Sequence, residues 1–388
     1  MSQIITSILD NDLYKISMGQ AVHHQYPNAI GKYVFTCRNK GVKLGFLAPL
    51  VTEQIEAMKI LSLSQREECF LRQQLGFLTE DYLEYFRDYR FRPNQVNVEN
   101  VNGDLSIEID GLWFETIFWE VPILAIVNEL YFRETTEITS IQGKGRANLT
   151  DKIALIRQYP RFVFAEFGTR RRYSKDWQQY VLEELKAHLP QLVGTSNIKF
   201  AMDFDIKPIG TQAHEWFMAH LGLVDNIEQA QKRALHVWLQ EYDNCLGTAL
   251  TDTFTTAAFF RDFGNVLANE FSGVRHDSGD AIEFGHNVIN HYKNLGIDPR
   301  TKTIIFSDGL NVPSAIRIYK EFTGLIGVSF GIGTNLSNDL GATPLNIVIK
   351  LMELNGTPLV KLSDNAGKTM GDEEMVQKVK EAYKVRNR

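Results

Sequence analysis

A chain of 388 residues is too long for one compact core and predicts two or three domains. With 44% apolar residues, 23% charged residues and a net charge of −6, it reads as a globular protein and not a general nucleic-acid binder. No run of about 18 apolar residues offers a membrane span. The amino-terminal "MSQIITSILDNDLYK" lacks the basic and long apolar regions of a secretion signal. Cys37, Cys69 and Cys245 are too widely spaced for a disulfide framework or a zinc motif, and suit a reducing compartment. The expectation is a cytoplasmic enzyme.

In chain order, "LVTEQIEAMKIL" (50–61) and "SQREECFLRQQL" (64–75) are apolar on one side and charged on the other, which predicts helices. "QVNVENVNGDLSIEIDG" (95–111) predicts a hairpin, two alternating runs about Asn102-Gly103-Asp104. From about residue 160 short apolar runs recur: "RFVFAEFG", "GTALTDTF", "SGVRHDSGD", "KTIIFSDG" and "IGVSFGIGTN". Helical patterns such as "DWQQYVLEELKAHL", "IEQAQKRALHVWLQEY" and "EFGHNVINHYKNLG" separate most of them. Strand then helix, repeated, predicts βα units and a parallel sheet, either an α/β barrel or a doubly wound sheet. Polar residues and glycines close each strand, where such a fold gathers its site. "NIVIKLMELNGTPLVKLS" (346–363) predicts a second hairpin about Asn355-Gly356.

Several short segments carry chemistry. "FGTRRRYS" (167–174) places Arg170, Arg171 and Arg172 in a row after a strand. Neighbouring side chains diverge, so all three cannot meet one ligand, but one guanidinium can grip a phosphate bidentately. "VRHDSGD" (274–280) sets Arg275, Asp277 and Asp280 about Gly279, a pattern for Mg²⁺ or for ribose hydroxyls as well as for a plain turn. "SFGIGTN" (329–335) runs a strand into Gly331 and Gly333, whose backbone N–H groups can converge on an anion. "FSDGLN" (306–311) is a similar loop, with Asp308 available to a sugar hydroxyl. In "KPIGTQAHEWF" (207–217), His214 follows a glycine loop and opens a helical pattern.

Two tempting motifs fail on spacing. His214 and His220 are six residues apart, about 240° around a helix, and cannot share a zinc ion as residues four apart do. His286 and His291 fail likewise. "SDNAGKT" (363–369) ends as a phosphate-binding Walker loop does, but Leu362 stands where its first glycine is needed.

"DNDLYK", "FGTRRR", "GTSN", "GTQAHEW", "RHDSGD" and "FGIGTN", in this order, together resemble the nicotinate phosphoribosyltransferase family of the bacterial and fungal type. The likeness runs along nearly the whole chain and includes "FWEVPILA" (118–125) and "PLNIVIKLMELNG" (344–356). It implies an irregular α/β barrel plus an α+β domain built from both chain ends: residues 1–135, a barrel over 136–343, and a segment 344–388 that returns to the first part. It implies a homodimer with sites at the subunit interface, and a ligase-class reaction of NAD salvage. In that reaction nicotinate and phosphoribosyl pyrophosphate give nicotinate mononucleotide and pyrophosphate, coupled to ATP hydrolysis through a phosphohistidine.

The resemblance places that phosphohistidine at His214. By the same likeness Tyr14 stacks on the pyridine ring from the partner subunit, Phe167 covers its other face, and Arg170 lies beside ring and phosphates. Gly168 and Thr169 belong to the same loop. Asp277 holds the ribose; Arg275 and Asp308 join it. Gly309, Gly331, Gly333 and Thr334 let the backbone approach the phosphate. Thr195 and Ser196, within Gly194 to Asn197, surround the substrate carboxylate. Mg²⁺ is expected near Asp277 and Asp280. One departure is "FSDGL", where many relatives have "FSDNL".

The residues agree with such chemistry. A ring nitrogen is itself the nucleophile in a phosphoribosyl transfer, so the protein need only clamp, position and stabilise charge. A phosphoryl relay needs a neutral imidazole near pH 7. Glu215, about 100° away on the helix, is not expected to orient His214. Two other readings are set beside this one. A nicotinamide-using enzyme would need an acceptor for the amide. A non-catalytic binder of phosphoribosyl compounds would be expected to lose the histidine or the aspartates, and this chain keeps them.

Overall fold

The structure is a computed structural model and describes residues 2–385. It is a mixed α/β protein of two compact units. One comprises the residues up to Gly210 together with Ile332–Lys350; the other comprises Thr211–Gly331 and the residues from Leu351 on. Strands, in chain order, are β1 (Ile30–Cys37), β2 (Val96–Val101), β3 (Asp104–Leu112), β4 (Phe164–Glu166), β5 (Leu192–Thr195) and β6 (Thr248–Leu250). There follow β7 (Gly273–His276), β8 (Thr303–Phe306), β9 (Gly327–Ile332), β10 (Ile347–Leu354) and β11 (Thr357–Pro358).

In the first unit β1, β3 and β2 form an antiparallel sheet, with Ile30 opposite Leu112 and Val96 opposite Ile109. The hairpin between β2 and β3 turns on Asn102 and Gly103, at φ 54° and 88°, the positive values a tight two-residue turn demands. Leu105, Ile107 and Ile109 point inward from β3 with polar residues between them, the two-residue period of a half-buried strand. Ser64 and Glu67 cap the helix Gln65–Gln74 reciprocally, as the serine and glutamate three apart allow.

The helix Glu120–Thr135 is buried from Glu120 to Leu130 without a break. A helix buried all round, polar in that stretch only at Glu120, Asn128 and Glu129, has no clear amphipathic stripe, which is why periodicity does not reveal it. In the same unit β4 and β5 pair in parallel, bringing Glu166 opposite Thr195.

In the second unit β6, β7, β8 and β9 lie side by side in parallel, with Leu250 opposite Arg275 and His276 opposite Phe306. Helices Thr256–Asp262, Ala281–Asn294 and Val312–Phe322 follow β6, β7 and β8. This is the βα succession that the sequence rhythm predicts. Its core stacks Phe306 on Phe322 and Phe330, ring centroids 5.8 Å apart in each pair. Parallel strands in register end at one edge, so the residues after Leu250, His276 and Phe306 are delivered together. Those residues include Asp252, Asp277 and Asp308. The second hairpin, β10 to β11, turns on Asn355 and Gly356 at φ 51° and 77°. No described helix is long and apolar enough to cross a membrane.

Candidate active site

His214 is the first residue of the short helix His214–Ala219, as the sequence predicts, and is 5% exposed. Its Nε2 lies 2.9 Å from Asp252 Oδ1, 2.8 Å from Lys361 Nζ and 3.6 Å from Asp277 Oδ2. Lys361 Nζ is also 3.1 Å from Asp252 Oδ2. The Ser278 hydroxyl donates to that oxygen at 2.7 Å, so both oxygens of the buried carboxylate are engaged. Burial pushes the imidazole down to about 4, the Lys361 charge adds to the shift, and Asp252 opposes it. His214 is therefore a neutral ring at pH 7. Burial alone would raise Asp252, but His214 and Lys361 outweigh it and hold the carboxyl well below the usual range.

Asp277 is held down in the same sense: burial opposes, and Arg275 with His214 outweighs it. Its Oδ1 accepts from Arg275 Nη2 at 3.2 Å and from the Ser307 hydroxyl at 2.8 Å. Arg275 Nε donates to Ser307 Oγ at 2.8 Å, closing a small ring of bonds between the ends of β7 and β8. Lys368 Nζ donates to Asp308 Oδ1 at 2.5 Å and to the Asp277 carbonyl at 3.1 Å. Asp280 does a different job: its Oδ1 accepts from the N–H groups of Ile282 and Glu283, capping the helix Ala281–Asn294. Gly309 has φ +56° with open space around a would-be Cβ, a left-handed position that glycine takes without strain.

Metal chemistry has two candidate places among the described residues: His214, Asp252 and Asp277, and the more exposed His23, His24 and Asp81, each with donor atoms within 4.8 Å of one another. Both sets contain imidazole, whereas Mg²⁺ favours oxygen ligands. His220 takes no part; its Nδ1–H donates to the Trp216 carbonyl at 2.7 Å. His286 pairs with Glu321 and His291 with the Phe263 carbonyl.

The first unit holds the other predicted residues. The three arginines go three ways. Arg172 is fully buried and bidentate to Asp10 at 2.8 and 3.0 Å. Arg171 donates to the Ile347 carbonyl and Asn346. Arg170, 38% exposed, sits over the Tyr14 ring at 5.9 Å and 3.6 Å from Glu120. Tyr14 is 8% exposed, with its hydroxyl 3.5 Å from Glu120.

Phe167 donates its N–H to the Ile332 carbonyl, and Gly333 packs on the Phe167 carbonyl so tightly that a Cβ would come within 2.8 Å. Thr334 starts the short turn of helix Thr334–Ser337. Gly331 is buried in β9. Glu166, buried between these loops, accepts from the Gly168 N–H at 2.6 Å, Thr195 Oγ1 at 2.7 Å and Gln178 Nε2 at 3.0 Å. Burial pushes it up to about 7 against those donors. Ser196 donates to Asp12 at 2.7 Å and Asn197 to Asp10 at 2.7 Å, while Thr169 Oγ1 accepts from Gln178 at 3.2 Å. "GTSN" thus anchors the loop before Tyr14 to the ends of β4 and β5.

The sequence reading missed Asp252, Lys361 and Lys368. Asp252 stood inside "GTALTDTF", read only as a strand. Lys361 lies near the end of "NIVIKLMELNGTPLVKLS", read only as a hairpin, and Lys368 in "SDNAGKT", weighed only as a failed phosphate loop. For Asp252 a charged residue two places after the end of a strand was the available signal; the lysines carried none.

The carboxy-terminal residues 162–387 match the profile of the nicotinate phosphoribosyltransferase (NAPRTase) family, and residues 9–128 match the NAPRTase N-terminal domain. The chain belongs to the nicotinate phosphoribosyltransferase family. Nicotinate phosphoribosyltransferases of Proteus mirabilis and Erwinia tasmaniensis are 45% and 44% identical to it, each over 98% of this chain and 96% of their own. The crystal structure of nicotinate phosphoribosyltransferase from Vibrio cholerae superposes with a TM-score of 0.94 at 39% identity, covering 100% of this chain and 95% of that one. That from Porphyromonas gingivalis gives 0.93 at 38%, covering 98% and 100%. Every motif on which the sequence resemblance rests lies within these family-wide matches.

Proposed function

We propose that the protein joins nicotinate to phosphoribosyl pyrophosphate in the cytoplasm, as part of NAD salvage, and that ATP hydrolysis is coupled to this through His214. The observation that carries the coupling is the buried, neutral imidazole set between Asp252, Lys361 and Asp277. A neutral ring nitrogen has the lone pair that phosphoryl transfer requires. In that step the nitrogen forms a bond to the γ-phosphorus, the bond to the bridging oxygen breaks, and ADP leaves with the electron pair. Water later cleaves the phosphohistidine to inorganic phosphate.

In the transfer itself the pyridine nitrogen bonds to C1 of the ribose while pyrophosphate departs with the electrons of the C1–O bond. Asp277, anchored by Arg275 and Ser307, faces the ribose, with Asp308 on the neighbouring loop. Gly309, Gly331, Gly333 and Thr334 present backbone to the 5′-phosphate. Tyr14, Phe167 and Arg170 serve the aromatic ring, and Thr195 with Ser196 the carboxylate. Mg²⁺, when bound, neutralises pyrophosphate charge. Asp277 and Asp280 are the carboxylates that would lie near it, Asp280 through the oxygen that does not cap its helix. Two copies pair, and Tyr14 then serves the partner's site.

Incubation with γ-labelled ATP tests the coupling. Acid-labile label is expected on the wild type and not on His214→Ala; label that persists in the variant overturns the assignment. Competition between the two pyridines tests the substrate: a preference for nicotinamide overturns nicotinate. Sedimentation at micromolar concentration tests the pairing, with a dimer expected.

A further inference from the structure

His214, Asp252 and Asp277 offer one nitrogen and two carboxylate oxygens within 4.8 Å of one another, a ligand set for a borderline divalent ion such as Zn²⁺ or Co²⁺. Yet Lys361, 6% exposed, already points its Nζ at the same atoms, 2.8 Å from His214 Nε2 and 3.1 Å from Asp252 Oδ2. Those are hydrogen-bond lengths, well beyond the roughly 2.0–2.2 Å of a metal–ligand bond. The charges also close without a metal: Asp252 is matched by Lys361 and Asp277 by Arg275.

We propose that the Lys361 ammonium is the resident cation of this cluster, occupying the place that a borderline divalent metal would otherwise take. The consequence for His214 is specific. One ring nitrogen cannot both accept from Lys361 and donate to Asp252. With the ammonium bridging Nε2 and the Asp252 carboxylate, the ring proton sits on Nδ1, Nε2 keeps its lone pair, and the 2.9 Å approach of Nε2 to Asp252 Oδ1 is held by the shared ammonium and not by a hydrogen bond between the two. A metal on Nε2 would remove that lone pair from chemistry; an ammonium on a flexible four-carbon stem can move aside and return. Lys361 is thus a positioning residue that keeps a potential metal site open.

Titration with Co²⁺, followed by its visible absorption, tests this without nicotinate or ATP, so its outcome is independent of the proposed activity. The wild type and His214→Asn should bind Co²⁺ alike, any shared signal being background from His23, His24 and Asp81. Lys361→Met should gain one equivalent with visible bands, lost in Lys361→Met/His214→Asn. Circular dichroism reports whether Lys361→Met folds; if it does not, Lys361→Gln replaces it in the same titration. A His214-dependent Co²⁺ signal in the wild type overturns the proposal. So does the absence of any added site in a folded Lys361 variant.

Discussion

Asp252 Oδ1 lies 2.9 Å from His214 Nε2, although the two residues are 38 positions apart and only the end of β6 carries the aspartate to the histidine. Asp252 is 0% exposed and also holds Lys361. Its removal strands a buried ammonium, which typically costs about 3–5 kcal/mol. Asp252→Ala should lower the urea midpoint accordingly, and Asp252→Ala/Lys361→Met should recover part of the loss. A double-mutant cycle that gives strict additivity would show that the two groups do not depend on each other.

The consecutive arginines predict three different phenotypes. Arg172→Met breaks a buried bidentate pair with Asp10 and should cost about 3 kcal/mol or more of stability. Arg171→Ala loses partly exposed contacts and should cost about 1 kcal/mol or less. Arg170→Ala should leave the unfolding midpoint nearly unchanged while raising the nicotinate KM about tenfold or more. Chemical denaturation and steady-state kinetics on the three variants check this ordering; equal destabilisation by all three would refute it.

Elements with local signals were legible in the sequence. The Asn-Gly hairpins, the helix after Ser64 and the βα succession follow from turn chemistry and periodicity. The helix Glu120–Thr135 was not, because burial on every side erases its period. At the site, His214 and Asp277 announced themselves beside glycines. Asp252 and Lys361 did not, since their meaning arises only when parallel strands and a distant loop meet. Spacing rules speak of residues on one element, and this cluster draws on four segments of chain.

Two glycines of the expected phosphate loops should behave oppositely. Gly309 has φ +56° and an empty surrounding, and asparagine adopts this left-handed region better than most residues. Gly309→Asn, which restores the "FSDNL" form, should therefore change stability by well under 1 kcal/mol. Gly333→Ala would push a Cβ to 2.8 Å from the Phe167 carbonyl and must displace that loop. Thermal melting and nicotinate KM should separate them: unchanged for the first, both impaired for the second.

Acid stability turns on which buried groups keep or refuse a proton. Burial holds His214 and His220 at about 4, against an ordinary histidine value of 6.5. Their contribution is complete above 6.5 and is lost as the pH falls toward 4, because the unfolded chain takes up protons that the fold refuses. Glu166 works the other way: raised from 4.5 to about 7, it favours the fold below 4.5 and loses that advantage as the pH rises through 7. Each group contributes a slope of about 1.4 kcal/mol per pH unit inside its window. Between pH 4.5 and 6.5 the two histidines therefore oppose one glutamate. His220→Gln should flatten the wild-type rise of unfolding free energy with pH, and Glu166→Gln should steepen it. Urea titrations at half-unit steps across this window measure both slopes, and identical slopes in the wild type and His220→Gln would show that His220 is not held neutral.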